Sequence, residues 1–161
     1  MDKFIILTDT RQQKEQHILE AFDNAGILHI RTTLSSADYM VVRYDNIKGF
    51  YKDYSILVDT KKNLEEVANN LCNSKEHERI KREIAKGKEL GAKQFIFLIG
   101  DDKINCVDDL KKWDSKRTKV KGSTLFKIMN TMQKKYGIKF IICKKKDMGK
   151  YILKLFKKNN I

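Results

Sequence analysis

The run Ile56-Leu57-Val58-Asp59-Thr60-Lys61 carries an acid and then a lysine at the end of an apolar, β-branched stretch. Short apolar runs bounded by polar residues read as strands buried on both faces. Residues two apart on an extended chain project from the same face, so Asp59 and Lys61 stand side by side where the strand ends. Two further stretches share this character. Ile6-Leu7-Thr8-Asp9-Thr10-Arg11 closes an apolar run with an acid and an arginine, and Ser36-Ala37-Asp38-Tyr39 opens one with an acid. Asp38 and Asp59 are 21 positions apart, room for two strands and their connection, so both carboxylates can reach one sheet edge.

Outward from these stretches, apolar runs alternate with segments of helical period, the pattern of an α/β domain. Phe4–Thr8 is expected as a strand, followed by a helix from about Lys14 that buries Ile18, Phe22 and Ala25 and stops near Gly26. Three strands follow, over Leu28–Thr32, Tyr39–Arg43 and Ser55–Val58, and they can form an antiparallel meander. Lys48-Gly49-Phe50 reads as a turn. Asn63-Leu64-Glu65-Glu66 is a capping-box pattern ahead of the stripe Leu64, Val67, Ala68, Leu71. Ser74 is read as the cap of the next helix, through Arg79 and Ile84 to near Gly91. Gln94–Ile99 is a strand, Ser123–Tyr136 a helix stopped by Gly137, Lys139–Cys143 the last strand, and Asp147 the cap of a final helix. The order β-α-β-β-β-α-α-β-α-β-α predicts a central mixed sheet with helices on both faces, in one domain over 1–161. The absence of proline and of any Gly/Ser-rich linker fits a single domain.

Composition narrows the function classes. No apolar run approaches the ~20 residues a bilayer needs, and the Met1-Asp2-Lys3 start leads into too short an apolar run for a signal peptide. The expectation is a cytoplasmic protein, bacterial or phage-encoded if prokaryotic, with no membrane partner. Cys72, Cys106 and Cys143 are odd in number and far apart, which argues against disulfides and a structural zinc, and His17, His29 and His77 are scattered. The net charge is +13 and unevenly spread: residues 1–60 sum to −2 and residues 61–161 to +15. A slightly acidic part beside a strongly basic one points to a polyanion, most commonly nucleic acid. The plain alternative is lysine serving as a solubiliser. No Walker or Rossmann spacing supports a nucleotide-binding α/β protein instead.

Two carboxylates about 4 Å apart repel by roughly 4 kcal/mol at an effective dielectric near 20. A divalent cation relieves that repulsion, and Mg²⁺ suits one or two carboxylates completed by water and substrate phosphate. The cation lowers the pKa of bound water and polarises the phosphoryl oxygen. An ammonium at Lys61 can orient that water or neutralise charge on the phosphorane. Asp-x-Lys alone is a weak signal, since acids and lysines are common at strand ends; Asp38 upstream strengthens it.

With Asp9 and Arg11 added, the chain resembles the nuclease domain of the XPF family, including archaeal Hef, in the restriction-endonuclease-like PD-(D/E)xK group. The family signature runs Val-Asp-x-Arg-Glu, Gly-Asp-Tyr and Val-Glu-Arg-Lys. Here the matching text is Thr8-Asp9-Thr10-Arg11-Gln12, Ala37-Asp38-Tyr39 and Val58-Asp59-Thr60-Lys61. The resemblance implies a restriction-endonuclease-like fold and a Mg²⁺-dependent, structure-selective endodeoxyribonuclease of DNA repair or recombination. Mn²⁺ would be its substitute metal. It further implies branched, flap or junction DNA as substrate, cut to a 5′-phosphate and a 3′-hydroxyl. Carried over by position, Asp38, Asp59 and the carbonyl of Thr60 are metal ligands. Asp9 lies near the metal or its waters, Arg11 near a phosphate, and Lys61 is the catalytic lysine. Four positions depart from the signature: Ala37 for Gly, Asp59 for Glu, Thr60 for Arg and Gln12 for Glu. Glu20 is a second acid, read as solvent-facing. The family's following helix-hairpin-helix module is not expected here, so substrate choice would come from this domain, a homodimer or a partner protein. The rival reading on the same fold is a non-catalytic DNA-binding module.

DNA would lie on the basic part. Lys111, Lys112, Lys116, Arg117, Lys119 and Lys121 occupy a polar connection beside strand ends, a usual place for binding loops. Lys62, Arg79 and Arg82 are nearer the metal. Trp113 is read as a core residue rather than a stacking platform, and Lys144-Lys145-Lys146 as a solvated turn or a further contact.

Overall fold

A computed structural model of the chain describes residues 3–12 and 15–157. Its elements are β1 (Phe4–Asp9), α1 (Gln16–Asn24), β2 (His29–Thr32), β3 (Tyr39–Asp45), β4 (Gly49–Lys61), α2 (Leu64–Cys72), α3 (Ser74–Glu89), β5 (Gln94–Gly100), α4 (Gly122–Tyr136), β6 (Lys139–Cys143) and α5 (Met148–Lys157). Short 3₁₀ segments, Val107–Lys112 and Lys145–Asp147, precede α4 and α5. The expected element order is therefore present. The start of α1 at Lys14 lies outside the described residues.

One six-stranded sheet runs β2-β1-β3-β4-β5-β6. β1 is parallel to β2, β3 is antiparallel to both β1 and β4, and β4, β5 and β6 are parallel to one another. The expected meander of β2, β3 and β4 is incorrect, because β1 inserts between β2 and β3. Burial explains the order. β1 is apolar on both faces and buried almost throughout, so it needs a neighbour on each side, whereas the partly exposed His29-Ile30-Arg31-Thr32 suits an edge. The β5-α4-β6 crossover is parallel, as expected.

Helices cover both faces. Ile18 and Phe22 of α1 pack with Ile152, Leu153 and Phe156 of α5 over Ile6, Val41, Val58 and Leu98. On the other face α2, α3 and α4 bring Leu64, Val67, Ile80, Ile84, Leu125 and Met129 against Leu57, Phe95 and Phe97. The cap of α3 is Asn73, whose Oδ1 accepts from the N–H groups of Lys75 and Glu76, and not Ser74, which is already helical. Asn63 caps α2 as expected, accepting from the Glu66 N–H at 2.8 Å. Gly137, at φ +65°, ends α4.

β4 begins at Gly49, well before the expected start, and forms a long hairpin with β3. Tyr44, Ile47 and Phe50 are exposed on it, the Tyr44 and Phe50 rings meeting edge-on with centroids 5.2 Å apart. Among the described residues no helix is long and apolar enough to cross a membrane.

Candidate active site

The antiparallel registers fix the site. Thr8 pairs with Tyr39 and Tyr39 with Val58. One step further, Asp9, Asp38 and Asp59 fall opposite one another on three adjacent strands. Backbone bonds continue the ladder to that point, from Asp9 N–H to the Asp38 carbonyl (2.9 Å) and from Asp38 N–H to the Val58 carbonyl (3.0 Å). β1, β4, β5 and β6 all end at this edge, the usual place for a ligand in an open α/β sheet.

Ala37 turns the chain into β3 with φ +62°, a left-handed conformation that favours glycine. It stands where the resembling signature has Gly, so that departure carries backbone strain. Glu83 of α3 holds the turn: its Oε1 accepts the Ala37 N–H at 3.0 Å, and its backbone carbonyl accepts the Ser36 hydroxyl at 3.1 Å.

Asp38 and Asp59 face each other closely enough to hydrogen-bond when one is protonated. Burial, then the charge of Asp59, pushes the Asp38 carboxyl well above the usual carboxylate range, against the opposing pull of the Thr60 N–H and Lys61. Asp38 Oδ2 accepts from Thr60 twice, from its N–H at 2.9 Å and its hydroxyl at 3.1 Å. Lys61 Nζ lies 3.0 Å from Asp59 Oδ2, an ion pair whose angles fall short of a hydrogen bond, so this buried oxygen accepts none. Burial pulls the Lys61 ammonium down, but Asp59, then Glu66 and Asp38, more than offset it and hold the amine charged. The ammonium also lies 5.9 Å from the Phe97 ring centre.

Asp9 is turned toward its own neighbours. Its Oδ1 accepts the Leu34 N–H at 3.0 Å and its Oδ2 accepts from Arg11 Nε at 2.7 Å, while Arg11 also donates to the Leu34 carbonyl. The Arg11 side chain is nevertheless 67% exposed. Among the described residues no three His, Cys, Asp or Glu side chains converge as a protein-only metal cage. What converges is a carboxylate pair with an unsatisfied oxygen, a donor set that fits Mg²⁺ completed by water and phosphate.

The roles of four residues, Glu83, Gln12, Arg31 and Glu15, escape the sequence reading. Glu83 is part-buried, and burial, then Asp59, raises its carboxyl above the usual range. Its signal is its place on α3 inside the stripe Ile80, Ile84, where an acid is out of pattern. Gln12 donates from Nε2 to Thr60 Oγ1 at 2.7 Å, so the departures at 12 and 60 touch. Arg31 fixes that segment by donating to the Thr10 and Gln12 carbonyls. Glu15 is buried beneath the site and accepts the Tyr39 hydroxyl; burial, then Glu15, pushes the phenol far up. Glu20 is exposed, as expected.

Of the expected DNA contacts, Arg79 lies 2.9 Å from Glu76 and 3.9 Å from Glu83. Arg82 is exposed on the same helix, and Lys62 follows the last residue of β4 into solvent. Lys112, Lys116, Arg117, Lys119 and Lys121 are exposed on one loop. Glu65 at the start of α2 ties that loop down, accepting from the Ser115 hydroxyl (2.6 Å) and the Lys116 N–H (2.7 Å). Gly122 closes the loop onto α4: a Cβ there would sit 1.8 Å from the Leu110 carbonyl oxygen. Trp113 is half-buried against the core.

The family model of the ERCC4 domain matches residues 8–155. The solved structure of XPF from Aeropyrum pernix has a TM-score of 0.68 and 17% sequence identity, over 96% of this chain and 66% of that one. XPF from Aeropyrum pernix in complex with DNA has a TM-score of 0.64 and 15% identity, over 96% of this chain and 63% of that one. The chain thus spans somewhat under two thirds of those solved chains, and identity this low establishes the fold alone. A comparison with curated proteins finds no match. The family model covers nearly the whole chain, and the protein belongs to the ERCC4-domain family, the nucleases of XPF type.

Proposed function

We propose that the protein is a divalent-metal-dependent DNA endonuclease that hydrolyses phosphodiester bonds in branched, flap or junction DNA. The observation that carries this reading is the buried Asp38–Asp59 pair, with Asp59 Oδ2 lacking an aligned donor 3.0 Å from the Lys61 ammonium. A charged pair so placed is costly unless a cation completes it. Asp38 and Asp59 would hold Mg²⁺ or Mn²⁺, with the Thr60 carbonyl as the third protein ligand implied by the family resemblance. The metal, when bound, supplies an activated water and a polarised phosphoryl oxygen.

The chain's own groups do the rest. Thr60 occupies one oxygen of Asp38 and so aims the other at the cation. Lys61 stays charged and lies where it can neutralise the phosphorane. Arg11, fixed by Asp9 yet exposed, faces the strand with a guanidinium suited to phosphate. The 111–121 loop grips the backbone without reading sequence. The DNA complex of the Aeropyrum pernix relative supports nucleic acid as the partner. Self-association or a partner protein would refine the choice of branched substrate.

The test is to incubate the protein with plasmid and flap DNA in Mg²⁺, Mn²⁺ or EDTA, beside Asp38→Ala and Lys61→Ala. Metal-dependent cleavage lost in both variants is the expected result. DNA binding without cleavage by the wild type in either metal would instead establish a binding module.

A further inference from the structure

A cavity of about 430 Å³ opens beside Thr60 and Lys61. Its lining joins Thr60 and Gln12 of the site to the apolar Ile18 and Met148 and to the basic residues Lys62 and Lys145. Among the described residues neither lysine has a carboxylate within ion-pair distance, although both line the same cavity. The acid in the lining, Glu66, has one oxygen occupied by the Lys62 N–H at 2.9 Å. Lys61 also contributes, with its charge already matched by Asp59. His17 adds an imidazole, and α5 begins at Met148, which sets the positive end of its dipole at this wall.

We propose that this cavity is a nucleotide subsite. Lys62 and Lys145 take a phosphate of the strand next to the cleaved bond, and the sugar or base rests on Ile18 and Met148. The size argues for more than a bare anion, since pockets of about 300–1,000 Å³ are typical for ligands far larger than phosphate. The charge argues for phosphate, because two lysines without a carboxylate partner outnumber the one acid of the lining, Glu66, and an anion offsets that excess. Position argues for a polynucleotide strand, because the wall residue Thr60 is the one that bonds Asp38. This last step rests on the nuclease reading; the cavity and its charge do not.

The test uses the full chain in EDTA, so that binding is read without cleavage. Calorimetry would compare 5′-phosphorylated dithymidine, the dinucleotide without its 5′-phosphate and with a neutral methylphosphonate in place of its phosphodiester, and inorganic phosphate. The phosphorylated dinucleotide is expected to bind best and to lose about tenfold in affinity in Lys62→Gln/Lys145→Gln. The charge-matched Lys127→Gln/Lys134→Gln should bind as the wild type does. Equal loss in both double variants would overturn the proposal, as would equal binding of the two dinucleotides. Inorganic phosphate binding as tightly as the phosphorylated dinucleotide would also overturn it, leaving a free-anion site. A protein that cleaves no DNA yet shows the expected pattern would sink the nuclease reading and leave the subsite standing.

Discussion

Gln12 Nε2 donates to Thr60 Oγ1 at 2.7 Å, and that contact orders the proton of the threonine. With its lone pair taken by Gln12, the Thr60 hydroxyl donates to Asp38 Oδ2. The resembling signature has Glu and Arg at these two positions. In this chain a neutral relay occupies those two positions and still holds Asp38. Thr60→Val should weaken Mn²⁺ binding by about 10–100-fold, the usual effect of losing a group that orients a metal ligand. Gln12→Ala should weaken it less, and should add nothing in the Thr60→Val background, because Gln12 acts through Thr60. Calorimetric titration of the four proteins with Mn²⁺ checks this; independent, additive losses would mean that no relay exists.

Ala37→Gly should stabilise the protein. A left-handed residue with a Cβ costs about 1–2 kcal/mol, and the added freedom of glycine in the unfolded chain returns about 0.4–1 kcal/mol. The net gain of about 0.5–1 kcal/mol corresponds to roughly 2 °C in Tm for a domain of this size. Thermal unfolding measures it, and a lower Tm in the glycine variant would contradict the backbone argument.

Metal-free protein should lose stability as pH rises above the ordinary carboxylate range of about pH 4. Asp38 and Glu83 have raised pKa values, so over that window the folded chain keeps protons that the unfolded chain has released. Stability then falls with pH until both groups ionise. Asp45 and Glu78, held low by backbone N–H groups and by Lys81, act in the opposite sense and only as pH falls below about pH 4. In EDTA, Tm should be lower at about pH 8 than at about pH 5.5, with most of the difference abolished in Asp38→Asn. Mn²⁺ should raise Tm more at the higher pH. Equal pH slopes for wild type and Asp38→Asn would rule out this origin.

The 111–121 loop should carry affinity. Reversing charge at Lys116, Arg117 and Lys119 is expected to weaken duplex binding similarly for all sequences and to flatten its salt dependence by about one unit of slope per lost contact. Fluorescence anisotropy across a salt series reads both. An unchanged slope would move the DNA off this face.

The sequence made the site's skeleton legible because its key residues interrupt apolar runs. Asp9, Asp38, Asp59 and Lys61 are polar groups at strand ends, and period alone places them there. Sheet order was harder to read. The short segment His29–Thr32 alternates as either an edge or a meander strand would, and only the demand of β1 for two neighbours decides between them. Glu83 was missed because its role depends on which strand turn α3 packs beside, a long-range fact without local trace. The relay was missed for the same reason, since Gln12 and Thr60 are 48 positions apart. Asn73 displaced Ser74 as a cap because two adjacent residues could both serve and the chain leaves its extended conformation one residue earlier.

The clasp between Glu83 and the Ala37 turn has a bearing on biosynthesis. The β3–β4 hairpin, with Asp38 just before it and Asp59 within it, leaves the ribosome before α3 does, yet the bend that seats Asp38 is secured by a helix still to be made. Until that helix arrives, mutual repulsion is free to splay the two acids apart. On the nuclease reading, a half-finished chain lacks the site that would grip a cation, and cleavage waits on the helix that closes the turn.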